Sequence, residues 1–347
     1  MSNRAYASLF GMSNFWAMQR EALPILADRA ERFMAGFSFD PPEAPKVSNG
    51  VAIMPLIGAM TPRGDMGTVS TMRFDAYFRE AVKNPGIKGI MLDVDSPGGA
   101  VYYTPQLAKR IYDARSQKPI IAFGNGSVGS AAYWVASAAS KFILAPGAEA
   151  GSVGVWMAHQ DMSKALELQG VQVSIISYGE NKLEGSELGP LSEETRLHMQ
   201  SRVDAMGAEF ESDVARNRGV NVSTVRKEFG QGRMFGDKDA LSRGMIDGIG
   251  NAEKVLKELM GGTPVSYTRR AAADADVQAE WHAAAESLFV AEMEERKEYY
   301  AGQKDGWLHF TTDPEKAAGG DPDLLRRKLS MKEKGGATGV SVRPFRV

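Results

Sequence analysis

The chain contains no cysteine, which excludes disulfides, thiolate metal sites, iron–sulfur clusters and a cysteine nucleophile together. Histidine is nearly as scarce. The four residues, at 159, 198, 282 and 309, are too scattered to form a His-rich metal site. No excess of either charge exists: 41 Lys and Arg against 43 Asp and Glu leave a net charge of −2. Without a global field to attract polyanions, neither nucleic acid nor an anionic membrane surface is expected as a partner. The N-terminus lacks a basic region followed by an apolar stretch and a small-residue cleavage site, so the expected location is the cytosol. No Walker, EF-hand or HExxH pattern occurs, and no repeat of fixed period is visible.

Charge is also missing locally. Residues 119–160 carry only Lys141 and Glu149, where the chain average would give about ten charges. The uncharged run over 119–140 has the length of a bilayer span, but Asn125, four serines and three glycines interrupt it. It reads instead as a buried strand, a turn and a small-residue helix.

What is present is alternation. Residues 1–47 read as an amphipathic helical lead-in that ends in a linker at Asp40-Pro41-Pro42. From Val51 onward, apolar strands beginning at 51, 89, 119, 141, 153 and 171 alternate with helical stretches over 72–82, 104–114, 130–139 and 162–169, then a longer helix over 192–218. Two short helices are expected within 234–260. This alternation defines an α/β domain with largely parallel strands, spanning 48–260. Beyond it, 261–347 reads as an appendage, helical over 269–300 and then loop. Its last 22 residues hold seven basic side chains against Glu333 alone, which suits either a solvated tail or an arm for an acidic partner.

Two turns after strands carry the chemistry. In Asp95-Ser96-Pro97-Gly98-Gly99, successive glycines can turn backbone N–H groups outward as an oxyanion site; the plain alternative is a strand-to-helix turn. In Gly126-Ser127-Val128-Gly129-Ser130-Ala131-Ala132-Tyr133-Trp134, Ser130 stands at a helix N-terminus. It is either an ordinary N-cap or a nucleophile with the Ala131 N–H beside it and a helix dipole favouring negative charge. A hydroxyl nucleophile needs a base, and a desolvated lysine can serve. Lys182, in Tyr178-Gly179-Glu180-Asn181-Lys182-Leu183-Glu184-Gly185, follows the strand expected from 171, where α/β sheets collect functional groups.

DSPGG, then SAAYW, then GSVGV, then GENKLEG together resemble the signal-peptide-peptidase family of serine proteases over roughly 51–257. Within that family the chain is most similar to the phage and prophage head-maturation, or capsid assembly, proteases. The resemblance implies a Clp/crotonase-like spiral of β-β-α units. It places the nucleophile on Ser130, the general base on Lys182 and a serine orienting that base on Ser152. The oxyanion donors fall on Ala131 and on the Gly98-Gly99 pair, Gly98 before Gly99. Many relatives have Ser-Gly-Gly where this chain has Ser130-Ala131-Ala132, which narrows the room beside the substrate but keeps the N–H.

His159 is the alternative base, since related Clp proteases use a Ser-His-Asp triad. No matching aspartate completes a triad here, and Lys182 is preferred. The resemblance further implies a serine endopeptidase with a Ser-Lys dyad and no cofactor or metal. Capsid or scaffold protein is its expected substrate during head maturation in the host cytoplasm. It also implies a homo-oligomeric ring in which the dyad could span two protomers. Three rival readings are an inactive scaffold or portal-associated protein on a protease fold, a general cytosolic or signal-peptide-remnant peptidase, and an acyl-CoA hydratase or thioesterase. The last gives Ser130, Ser152 and Lys182 no role.

Overall fold

The computed structural model describes residues 15–261 and 267–301. The first fourteen residues and the basic C-terminal stretch lie outside them, and so does the reading of that stretch as a tail or docking arm.

Parallel strands form the centre. β1 (Trp16–Met18) and α1 (Leu23–Met34) precede β2 (Lys46–Ser48), β3 (Val51–Ile57), β4 (Met60–Thr61), β5 (Val69–Ser70) and α2 (Thr71–Lys83). There follow β6 (Gly89–Ser96), β7 (Gly98–Ala100) and α3 (Thr104–Ala114), then β8 (Ile120–Gly129) and α4 (Ala131–Ser137). β9 (Lys141–Leu144) and β10 (Glu149–Gly151) come next, before α5 (Ser163–Leu168) and α6 (Glu193–Arg218). The chain then passes through α7 (Val222–Glu228), β11 (Met234–Gly236), α8 (Asp237–Ser242), β12 (Gly248–Ile249), α9 (Ala252–Leu259) and α10 (Tyr267–Ala301).

The repeated motif is a long strand, a short strand and a helix: β3, β4 and β5 lead to α2, and β6 and β7 lead to α3. The long strands β3, β6 and β8 form the middle of one sheet, of order β11-β10-β8-β6-β3-β2, with β9 also on β8 and β12 on β9. Short strands build a second sheet, β1-β7-β4-β5. This is the α/β arrangement of β-β-α units expected of a Clp/crotonase-like fold.

The long strands read as unbroken apolar runs because both their faces are covered. Ala52, Met54, Ile90, Leu92 and Ala122 face the main core. Their alternate neighbours Val51, Met91, Ile121 and Phe123 pack with Val255 and Leu259 of α9. A period of two along each strand thus serves two cores.

The uncharged belt has the same origin. Every residue of α4 is buried, so no face of that helix accommodates a charge. Its Trp134 stacks on Phe210 of α6 with ring centroids 4.2 Å apart and planes 5° apart, and the indole donates to Asp213 Oδ2 at 2.9 Å. One turn beyond Asp213, Asn217 Nδ2 donates to Ser137 Oγ. Trp134→Ala is expected to destabilise the fold by about 3–5 kcal/mol through the cavity and the lost donor to Asp213 Oδ2. Chemical denaturation checks this, and a loss below about 1 kcal/mol would show that the stack contributes little.

Three expectations need correction. Residues 153–158 form no strand beyond a bridge between Trp156 and Trp16, because the partner is a three-residue segment from far upstream. The run from 171 alternates as a strand should, yet it forms none: Val171, Val173 and Ile175 are exposed, with no described segment pairing with them. The N-terminal lead-in is not wholly helical, since 16–18 is a strand of the second sheet. The part of α10 up to Glu292 packs within the same unit, where Trp281 and Ala285 are buried and Trp281 Nε1 donates to the Tyr77 carbonyl. Among the described residues no helix is long and apolar enough to cross a membrane.

Candidate active site

Ser130 occupies the junction where β8 ends and α4 begins. Its φ of 55° and ψ of −115° are costly for a residue with a Cβ. The junction is held from both sides: the Ser130 N–H donates to the Gly151 carbonyl at 2.8 Å, and its carbonyl accepts from Trp134 N–H at 2.9 Å. The side chain is buried, and its hydroxyl has one long contact, 3.4 Å to the Gly154 carbonyl. A weakly engaged hydroxyl on an over-determined backbone is what a nucleophile requires.

Ser152 repeats this geometry one strand away. β8 and β10 are parallel with Gly129 opposite Gly151, so Ser130 and Ser152 leave the carboxyl ends of neighbouring strands side by side, where open α/β sheets place their sites. Ser152 also has φ 55°, and its N–H is fixed on the Arg233 carbonyl at 2.8 Å. Alongside lies a cleft of about 590 Å³, lined by Ser152, Gly154, Trp156, Gln231 and the N-terminal residues Met18 and Gln19.

The glycine pair divides its labour. A Cβ on Gly98, whose φ is 94°, would fall 2.9 Å from the Ala131 nitrogen and 2.2 Å from the Ala17 carbonyl. Gly98 therefore lies against the first peptide of α4. A Cβ on Gly99 would fall 1.9 Å from the Met60 carbonyl, so that glycine is required for β7 to pack on β4. The Ala131 N–H has no hydrogen-bond partner among the described residues. The Gly98 N–H donates to Ser96 Oγ at 3.1 Å, so in this state the donor is held by the protein itself.

The remaining expected residues are not brought to Ser130. Lys182 is exposed in a turn over 179–185 and makes no hydrogen bond to it. His159 is half-buried, and its Nε2 pairs with the Ser186 carbonyl at 2.9 Å. Nothing in the sequence pointed to Gln19, whose side chain lies against Gly129 and 3.2 Å from Ser127 Oγ. Ser127 Oγ also pairs with Glu149 Oε1 at 3.2 Å. No cluster of three or more metal-ligating side chains occurs among the described residues.

Residues 113–266 match the model of Peptidase family S49. The matched region includes Ser130, Ser152 and Lys182 and begins after Gly98. Among curated proteins, the chain is similar to the head-tail preconnector protein GP5 of Enterobacteria phage P21, 32% identical over 244 residues, covering 69% of this chain and 48% of that protein. It is equally similar to capsid assembly protease C of Escherichia phage lambda, 32% over 216 residues, covering 61% of this chain and 49% of that protein. The chain thus spans about half the length of these two relatives. A third, the chloroplastic serine protease SPPA of Arabidopsis thaliana, is 32% identical over 171 residues, 49% of this chain and 25% of that protein. Among solved structures, a mutant of ClpP1 from Listeria monocytogenes matches over 59% of this chain and 94% of its own, at 15% identity and a TM-score of 0.37.

Proposed function

We propose that the chain is a serine endopeptidase acting on capsid or scaffold protein during phage head maturation, with Ser130 as nucleophile and Lys182 as general base. The observation that carries this reading is the pair of serines with φ 55° at adjacent strand ends within the region that matches Peptidase family S49. The Lys182 amine takes the Ser130 proton as Oγ attacks the scissile carbonyl. The N–H groups of Ala131 and Gly98 receive the oxyanion once Gly98 has left Ser96. The tetrahedral intermediate collapses, the lysinium gives its proton to the departing amine, and water attacks the acyl-enzyme with Lys182 again as base; the second intermediate breaks the ester bond, releasing the acid as the lysinium reprotonates Ser130 Oγ. Ser152 accepts a hydrogen bond from the Lys182 amine and fixes its direction. The residues named supply every proton transfer.

Lys182 must reach Ser130 for this to work, and within one chain it stands in solvent. A neighbouring copy in a homo-oligomeric ring supplies it. The preceding arm supports this: Ile176 and Tyr178 are 99% and 100% exposed, apolar surface that a second subunit would cover. The place of action is the host cytoplasm, inside assembling proheads.

Co-expression with the cognate capsid or scaffold protein, read by intact mass, tests the proposal. Truncated product is expected with wild type and with His159→Ala, and full-length substrate with Ser130→Ala. Cleavage that persists in Ser130→Ala ends the proposal. Loss with His159→Ala but not with Lys182→Ala would transfer the role of base to the histidine.

A further inference from the structure

We infer that residues 15–19 are a built-in occupant of the peptide-binding groove, so that an extended peptide reaches Ser130 only after the chain's own N-terminal strand has left. The inference rests on the protease reading for the identity of the groove, and its test below does not depend on catalysis.

β7 carries Gly98 and has two edges. β4 takes one, and β1 takes the other in antiparallel register, with Trp16 opposite Ala100, Ala17 opposite Gly99 and Met18 opposite Gly98. On its far side β1 is held by the segment that follows Ser152: Trp16 N–H donates to the Trp156 carbonyl, and Trp156 N–H donates to the Trp16 carbonyl, each at 2.9 Å. An extended segment thus lies between the strand bearing the proposed oxyanion donor and the loop bearing the proposed orienting serine. Main-chain pairing of this kind is how proteins add a peptide strand to a sheet edge, largely without regard to its sequence. While β1 is in place, no edge of β7 is left to offer.

The occupation continues past the strand. Gln19 N–H donates to the Pro97 carbonyl at 2.9 Å, and the Gln19 side chain covers Gly129, the residue before Ser130. Met18 and Gln19 wall the cleft that holds Ser152.

The segment is also built to be separable. Trp16, Met18 and the buried residues of α1 pack in a hydrophobic cluster of their own with Met66 and Ala100, apart from the main core. Of the strand and the residue before it, Phe15 and Ala17 reach the main core. Residues 37–45, which join α1 to β2, have neither helix nor strand and include Pro41, Pro42 and Pro45. Displacement therefore costs one satellite cluster, a short ladder and the main-core contacts of Phe15 and Ala17, and leaves the pairing of the central sheet intact.

The absence of cysteine permits a reversible latch. Trp16 and Ala100 face each other directly across an antiparallel pair, flanking the pair formed by Ala17 and Gly99, which suits a cross-strand disulfide. The full chain carrying Ser130→Ala, Trp16→Cys and Ala100→Cys would be titrated with a fluorescein-labelled peptide of residues 14–20, and binding read by anisotropy. We expect the reduced protein to bind at least about tenfold more tightly than the oxidised one, as a groove switched from closed to open requires. Equal affinity in both states, or no binding in the reduced state, would overturn the inference. A folding defect from losing Trp16 would appear as a change in circular dichroism common to both states, and Trp16→Phe with Ala17→Pro, which removes one ladder N–H and keeps an aromatic side chain, must then bind more tightly than wild type for the inference to stand. Binding without cleavage when Ser130 is restored would fault the assignment of the nucleophile and leave the occupied groove in place.

Discussion

Ser130→Ala is expected to lower kcat/KM for a capsid-derived peptide by on the order of 10⁴-fold or more, since removing a nucleophile leaves only binding and oxyanion stabilisation. The same substitution should hardly change stability. Its hydroxyl makes one contact, at 3.4 Å, and alanine incurs the same penalty as serine for a φ of 55°. A shift within about 0.5 kcal/mol is expected. The combination separates a catalytic residue from a structural N-cap. An N-cap would lose about 1 kcal/mol on the same change, but the Ser130 side chain makes no capping hydrogen bond to α4. A variant that unfolds, or that retains more than about a tenth of the activity, would return Ser130 to an ordinary role.

Lys182→Ala is expected to be almost as damaging, by about 10³-fold, again with unchanged stability because the side chain is exposed in the single chain. Lys182→Arg should not rescue it, as a guanidinium does not give up its proton at neutral pH. The informative measurement is a mixture. If one subunit supplies Ser130 and its neighbour Lys182, equal amounts of Ser130→Ala and Lys182→Ala subunits, co-assembled at random, contain intact sites at one interface in four. About a quarter of wild-type activity should return. Two variants that stay inactive after co-assembly would place both residues in one chain and require the 171–185 arm to fold back onto its own domain.

The helices over 71–83 and 193–218 were legible from their caps, since Ser70 and Ser192 accept from the N–H three residues on, and the helix over 104–114 from its apolar spacing alone. The sheet was legible because strands covered on both faces have nowhere to put charge. What failed was pairing. Residues 153–158 and 171–177 have the composition of strands, but strand formation needs a partner edge. Trp156 finds only Trp16, more than a hundred residues upstream, and the later run finds none among the described residues. β1 was hidden for the converse reason, being three residues long inside an amphipathic pattern.

At the site, Ser130 could be picked out because small residues follow it and a glycine precedes it, whereas Ser152 came only with the family resemblance. The separate duties of Gly98 and Gly99 could not, since only the approach of Met60 and Ala131 distinguishes them. The approach of Gln19 to Gly129 was equally invisible, because it depends on a contact between segments 110 residues apart. The arm carrying Lys182 pairs with no strand among the described residues.

The most direct test of the central claim is covalent. The assembled wild-type protein would be treated with a fluorophosphonate, digested and mapped by mass spectrometry. The account predicts one adduct, on Ser130, formed with wild type and lost with Lys182→Ala. An adduct on another residue, or labelling of Ser130 that persists at the same rate without Lys182, would contradict it.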